Sequence, residues 1–144
     1  MFEEVKMRCI PLLIAGTVLA SCTTTPPSAD ATMRSPSGER AYQSLLTGKV
    51  PGQPINCLQN YNSNNMSVID GRTVAFSVGT ATVYLVHLSP GCDQIGGGGP
   101  YALFARQFGG QGTCRGDIQQ VVDTINRSTV GSCTVAEIVP YRRP

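Results

Sequence analysis

Residues 66–88, MSVIDGRTVAFSVGTATVYLVHL, decide the fold of this chain. Apolar residues alternate with small or polar ones along 73–78, which is typical of a strand with one buried face. Asp70-Gly71 before this run predicts a type I′ turn with a positive φ at the glycine, and Gly79-Thr80 after it predicts a second turn. Val83 to Val86 is apolar on both faces, as expected of a central strand. The stretch therefore predicts three consecutive antiparallel strands.

Shorter runs on both sides of this stretch extend the β pattern. Strands are predicted at Ile55 to Leu58, Tyr101 to Phe108 and Cys133 to Val139, and Pro140 is expected to stop the last of them. Asp117 to Ile125 fits two structures, an amphipathic helix with a capping box or a short strand. We favour the strand, because it suits an antiparallel sheet.

The fold class follows from these elements together with one helix. Ser37 to Lys49 is predicted to form a short helix, with Ser37 as its N-cap and Gly48 at its end. Polar or glycine-rich stretches predict loops at Gln59 to Asn65, Gly96 to Gly99 and Gly109 to Gly112. We therefore expect a mainly β domain, a small antiparallel barrel or sandwich of about six strands with one short N-terminal helix and two disulfides.

The N-terminal residues have the pattern of a secretory signal. Lys6 and Arg8 precede an apolar run from Ile10 to Ala20, which is too short to span a bilayer core, since that takes about 20 residues. Leu19-Ala20-Ser21-Cys22 ends the run and resembles the bacterial lipobox, in which the cysteine thiol receives a diacylglycerol group. Several acyl chains hold a protein firmly, because each buried CH₂ contributes about 0.8 kcal/mol. Cys22 is therefore the expected lipidation site, and an ordinary cleaved signal is the alternative.

The chain divides into three expected regions. These are a lipoprotein signal peptide at 1–21, a disordered tether at 22–38 that is rich in Thr, Ser, Pro and Ala, and a disulfide-linked β-domain at 39–144. Thr23 stands where an Asp would resemble an inner-membrane retention signal, so we expect the anchor at the periplasmic face of the outer membrane. Glu3 and Glu4 do not suit the start of a signal, which makes Met7 the expected start of translation.

Six cysteines divide between the signal and the domain. Cys9 lies in the signal and Cys22 is the expected lipid site, which leaves Cys57, Cys92, Cys114 and Cys133. An even number in an exported domain predicts two disulfides, and four cysteines allow three connectivities. We expect Cys57–Cys133 to join the opening and closing strands and Cys92–Cys114 to join two neighbouring loops. A zinc site of four cysteines is the alternative, although the chain has no Cys-x₂-Cys pair to support it.

Several spaced elements resemble a known family. They are Cys57, Asp70-x-Arg72, Leu88-x-x-Gly91-Cys92, Cys114-x-Gly116-Asp117, and Cys133 followed by Pro140-Tyr141. The set resembles a family of small proteobacterial lipoproteins that carry a domain of unknown function, and the Cys-x-Gly-Asp element is its most specific part. The resemblance implies an exported location and a cysteine-linked domain. It implies no activity, cofactor or catalytic residue.

Few residues suggest catalysis or metal binding. His87 is the only histidine and no Gly-x-Ser-x-Gly motif accompanies it, so we interpret it as a structural residue of a strand. Asp93 and Asp117 each follow a cysteine of the expected Cys92–Cys114 bridge, which would let the two carboxylates face one another as in glycosidases. We expect them instead to accept backbone hydrogen bonds in turns. The sequence predicts no catalytic, cofactor-binding or metal site.

The charge pattern argues against one class of partner. The formal net charge is +2 and the Lys and Arg residues are scattered, so no basic face for nucleic acid is expected. We expect a non-enzymatic envelope protein, held at the membrane by acylated Cys22, that binds an envelope protein, glycan or lipid or helps to maintain the envelope. The alternatives are a lysozyme or protease inhibitor and a small periplasmic hydrolase built on Asp93, Asp117 and His87.

Overall fold

The computed structural model describes residues 34–59, 65–106 and 112–144. In these residues the helix α1 (Pro36–Leu46) precedes the strands β1 (Val50–Pro51), β2 (Cys57–Leu58), β3 (Met66–Asp70), β4 (Thr73–Val78), β5 (Thr82–Leu88), β6 (Tyr101–Arg106), β7 (Thr113–Cys114), β8 (Ile118–Asp123) and β9 (Ser128–Arg142). A 3₁₀ helix (Asp93–Gly97) lies between β5 and β6. The expected signal peptide, Cys22, most of the tether, and parts of the loops predicted at Gln59 to Asn65 and Gly109 to Gly112 lie outside the described residues.

The strands form one main antiparallel sheet and a small ribbon. The main sheet has the order β3-β4-β5-β9-β8-β6, and β1 also pairs with β9. The C-terminal part of β9, from Val135, pairs with β5, whereas its N-terminal part, up to Thr134, pairs with β8. The 15 residues of β9 thus serve both parts of the sheet, which curls into a half-barrel. β2 pairs only with β7 in the ribbon. The expected mainly β fold of about six strands and one helix is confirmed.

Apolar side chains cover both faces of the sheet. We call the face that carries Val74 and Phe76 the inner face, and the face that carries Ala75 the outer face, where α1 packs. β5 contributes to both layers, with Val86 on the inner face and Leu85 on the outer face. The pairing of β5 with β4 and β9 confirms that it is a central strand with two buried faces.

The helix α1 begins two residues earlier than the predicted N-cap implied. Its N-cap is Ser35 rather than Ser37, and the Ser35 hydroxyl accepts the backbone N–H of Gly38 at 3.1 Å. Pro36 explains the difference, because proline has no N–H to satisfy and its fixed φ suits the first helical position. Gly48, with φ of 70°, follows the helix as expected. The described domain therefore includes Arg34 to Gly38, which the sequence assigned to the tether.

The turn between β3 and β4 differs from the predicted type I′ turn. Gly71 does not adopt a positive φ, and the Asp70 carboxylate instead accepts the backbone N–H of Arg72 at 2.8 Å. The glycine is required by packing, because a Cβ at this position would lie 2.6 Å from the carbonyl oxygen of Asp93 in the 3₁₀ helix. The 3₁₀ helix therefore packs directly against this turn.

Two predictions about strands had different outcomes. The strand option for Asp117 to Ile125 is confirmed, because Ile118–Asp123 forms β8. The prediction that Pro140 stops the last strand is wrong, since β9 continues to Arg142. The carbonyl of Pro140 accepts the N–H of Gly52 on the β1 side of the strand. In a strand the N–H and the C=O of one residue face the same neighbour, so the N–H that Pro140 lacks would also face β1. The hydrogen bonds between β9 and β5 are therefore unaffected by the proline.

All four cysteines of the domain form disulfides, but not in the expected pairs. The bonds are Cys57–Cys114 and Cys92–Cys133, so both Cys57–Cys133 and Cys92–Cys114 are wrong. The expected pairing assumed that the strand at Cys57 lies beside the closing strand. β2 instead pairs with β7, which places Cys57 directly opposite Cys114 with a Cα–Cα distance of 4.0 Å. Cys92 precedes the 3₁₀ helix and reaches Cys133 in β9.

Candidate ligand-binding cavity

A cavity of about 80 Å³ lies on the inner face of the half-barrel. Among the described residues, its lining is apolar apart from one hydroxyl and one amide, and includes Met66, Val74, Phe76, Val86, Leu88, Leu103, Ala105, Thr113 and Gln119. Most of these side chains are buried, but Met66 and Leu103 are partly exposed and Ala105 is exposed. The cavity therefore has a closed floor and a rim that solvent reaches.

Gln119 is the most unusual residue of this lining. Its place in β8, opposite Ala105 of β6 and Cys133 of β9, turns its side chain to the inner face beside that of Val121. Gln119 is only 4% exposed, and its Nε2 has no hydrogen-bond partner among the residues that the structure describes. A buried amide without a partner is destabilising, because folding removes it from water without compensation. Such a group at a cavity wall is available to a ligand.

Gln119 was not singled out from the sequence. The apolar residues around it, Ile118, Val121, Val122 and Ile125, fit the stripe of a helix, and Gln119 lies outside that stripe. Strand alternation was the available signal, since it places residues 119 and 121 on one face. On this basis, a polar residue on the same strand face as a core valine would have identified position 119 as a buried polar site.

Replacing Gln119 with Met is expected to stabilise the protein by about 1–2 kcal/mol. The substitution keeps the length of the side chain and removes the buried amide whose Nε2 has no partner among the described residues. Urea unfolding of the wild type and the variant measures the difference. Gln120→Met is the matched control, because Gln120 lies on the opposite face and accepts a hydrogen bond from exposed Arg106. Destabilisation by Gln119→Met, with no change in Gln120→Met, would contradict the prediction.

The residues considered for catalysis are held in separate local contacts. The Asp117 carboxylate accepts the backbone N–H of Cys114 at 2.7 Å. The Asp93 carboxylate accepts the backbone N–H of Gly91 at 3.1 Å and Nε of Arg72 at 3.2 Å. Both aspartates therefore bind backbone in turns, as expected. The disulfide that would have brought them together does not form, because Cys92 and Cys114 bond to other partners.

His87 lies in β5, between Thr73 of β4 and Glu137 of β9. It has the same strand parity as Leu85, which places it on the outer face of the sheet, away from the cavity. None of Asp93, Asp117 and His87 is among the described residues that line the cavity.

The protonation of Asp93 follows from its contacts. The hydrogen bond from the Gly91 backbone, followed by that from Arg72, lowers the pKa of the Asp93 carboxyl below its usual range. A general acid needs the opposite shift, so that it still carries a proton near neutral pH. Asp93 is therefore suited to a structural role as a carboxylate.

Acid is expected to weaken the domain partly through Asp93. Because its pKa is lower in the folded state, the contribution of Asp93 to stability is complete above the unfolded pKa of about 3.9 and is lost as the pH falls through the folded value. In Asp93→Asn the melting temperature should thus fall less steeply below about pH 4. Melting curves at a series of pH values measure this. Parallel curves for the wild type and the variant would refute the contribution.

In the described ranges, no three His, Cys, Asp or Glu side chains lie together so that they could hold a metal ion. Within the same ranges, no helix has the length and apolar character needed to cross a membrane. The chain matches no family model, no curated protein and no solved structure.

Proposed function

We propose that this chain is a lipid-anchored protein of the bacterial cell envelope whose β-domain is a non-enzymatic binding module. In this proposal Cys22 is acylated and holds the domain at the periplasmic face of the outer membrane. The domain then binds a component of the envelope. The carboxylates that would be needed for hydrolysis support turns instead, which favours binding over catalysis.

The distribution of the cysteines is the main support for the proposed lipid anchor. The bonds Cys57–Cys114 and Cys92–Cys133 use every cysteine of the domain, so no cysteine there requires a partner from the N-terminal segment. Cys22 is thus left for acylation, directly after Leu19-Ala20-Ser21. Two disulfides also suit an oxidising compartment such as the periplasm.

The distance between the expected anchor and the domain also supports the proposal. Cys22 and Arg34, where the described domain begins, are 12 residue steps apart (34 − 22 = 12). An extended chain spans at most about 3.3–3.6 Å per residue, so Arg34 would stay within about 40 Å of the membrane surface. A binding module on such a tether reaches ligands in or close to the membrane.

Substitution of Cys22 tests the anchor. In the wild type, mass spectrometry of the mature protein should find an N-terminal cysteine that carries acyl chains, and the protein should fractionate with the outer membrane. Cys22→Ser should remove the acyl groups and release the protein from that fraction. Cys9→Ser is the matched control and should remain anchored, because Cys9 lies in the expected signal. An unmodified terminus, or membrane retention of Cys22→Ser, would overturn the proposed anchoring.

Crosslinking and affinity capture in the native envelope test the binding role. The lipidated wild type should capture an envelope protein or glycan that the domain contacts. Hydrolysis of an envelope substrate by the purified protein, with no captured partner, would contradict a non-enzymatic role.

A further inference from the structure

We propose that the cavity on the inner face binds a small neutral molecule whose short apolar part fills it and whose acceptor oxygen receives a hydrogen bond from Gln119 Nε2. This inference rests on the proposed binding function and names its ligand class. It is independent of how the protein is anchored.

The composition of the wall selects a neutral ligand. Of the nine described side chains that line the cavity, seven are apolar, Thr113 offers a hydroxyl and Gln119 an amide. A charged ligand would lose its hydration here without meeting an opposite charge, which is strongly unfavourable. A neutral apolar ligand gains from leaving water instead.

Gln119 Nε2, which has no partner among the described residues, determines the polar atom of the ligand. An amide nitrogen donates hydrogen bonds and accepts none, so the group that satisfies Gln119 Nε2 must be an acceptor. A carbonyl or ether oxygen meets this requirement without charge. A plain hydrocarbon would leave Nε2 as it is in the free protein, so its binding should not depend on the amide of Gln119.

The volume of the cavity limits the apolar part. The cavity has about 80 Å³, and an engineered apolar cavity of about 150 Å³ holds the six carbons of benzene. Three or four carbons therefore fit inside, and a longer molecule extends past the rim at Met66 and Ala105. A ligand fragment of this size is expected to bind with a dissociation constant on the order of millimolar.

Nuclear magnetic resonance titrations with 2-pentanone, pentane and pentanoate test the proposal. The protein is the whole chain, secreted with Cys22→Ser so that both disulfides form without a lipid anchor. 2-Pentanone should bind and should shift the side-chain amide resonances of Gln119. Pentane should bind independently of the Gln119 amide, and pentanoate should not bind, because its charge would lose hydration without meeting an opposite charge.

Three variants show whether binding occurs at this site. Gln119→Met should reduce the affinity for 2-pentanone about fivefold and leave that for pentane unchanged. Gln120→Met, the same substitution on the opposite face, should change neither. Ala105→Phe places a ring at the rim of the cavity and should abolish binding of both molecules. Because Ala105 is exposed, the variant should still fold.

The outcomes separate this inference from the proposed function. Absence of 2-pentanone binding, equal affinity in Gln119→Met, or tighter binding of pentanoate would overturn the inference, whereas acylation of Cys22 and partner capture would be unaffected. Binding of 2-pentanone that depends on Gln119, together with an unmodified Cys22 in the mature wild type, would support the inference and overturn the anchoring.

Discussion

Replacement of Arg34 by Ala is expected to lower the free energy of unfolding by about 3–5 kcal/mol. The side chains of Arg34 and Asp70 are only 6% and 2% exposed, and Nε of Arg34 lies 3.1 Å from Oδ2 of Asp70. The Arg34 guanidinium also lies 3.9 Å from the centre of the Tyr42 ring and 3.3 Å from the Glu39 carboxylate. Removal of the arginine leaves a buried carboxylate without its charged partner, which is far more unfavourable than the loss of an exposed pair.

The chain contains a matched control for this prediction. Arg72 and Asp93 form an equivalent pair at 3.2 Å, but these side chains are 35% and 45% exposed. Arg72→Ala should therefore lower stability by less than about 1 kcal/mol. Urea unfolding of both variants gives the comparison. In addition, the double variant Arg34→Met with Asp70→Leu should recover most of the loss, because no unpaired charge remains. Equal losses in Arg34→Ala and Arg72→Ala would contradict the argument.

Loss of the Cys92–Cys133 disulfide is expected to destabilise the domain by about 4 kcal/mol or more in the double alanine variant. Closing a loop with a sequence separation of 41 residues contributes about 4 kcal/mol through chain entropy. Both cysteines also belong to the core of the inner face, where Cys92 is fully buried and Cys133 is 4% exposed. Truncation to alanine therefore adds a packing loss to the entropic one.

Comparison with the second disulfide separates the two contributions. Cys57–Cys114 spans 57 residues, so chain entropy alone would make its removal slightly more damaging than removal of Cys92–Cys133. Cys57 and Cys114 are only partly buried, however, and less packing is lost with them. We therefore expect the larger loss in the Cys92/Cys133 variant, as measured by urea unfolding under oxidising conditions. The reverse order would show that loop entropy dominates.

Features that depend on neighbouring residues could be predicted from the sequence. The apolar run in β5 correctly indicated a central strand, because strand periodicity is a local property. The alternation in 73–78 predicted a single buried face, which is wrong, because Thr73 and Ala75 are as buried as Val74 and Phe76. The turn residues at Asp70-Gly71 marked the right place but the wrong turn type. Glycine is required at position 71 because the 3₁₀ helix, which begins 22 residues later at Asp93 (93 − 71 = 22), packs on it.

Features that depend on distant partners were predicted poorly. The disulfide pairs follow from the pairing of β2 with β7, which no local pattern encodes. Arg34 was assigned to the tether because its neighbours are Ser and Pro, yet its burial depends on Asp70, 36 residues away. The cavity likewise combines residues from β3, β4, β5, β6, β7 and β8. Strand alternation could have identified Gln119 as inward-facing, but not the space beside it.

The position of β9 in the sheet has a consequence for the synthesis of the protein. β9 follows every other strand in the chain, yet it lies between β5 and β8 and joins the two parts of the half-barrel. A growing polypeptide can form the β3-β4-β5 meander and the β6-β8 pair separately, but the inner core cannot close before Ser128–Arg142 is available. If the protein is exported as proposed, it must remain unfolded in the secretion channel, and this strand order would delay folding until nearly the whole domain has emerged.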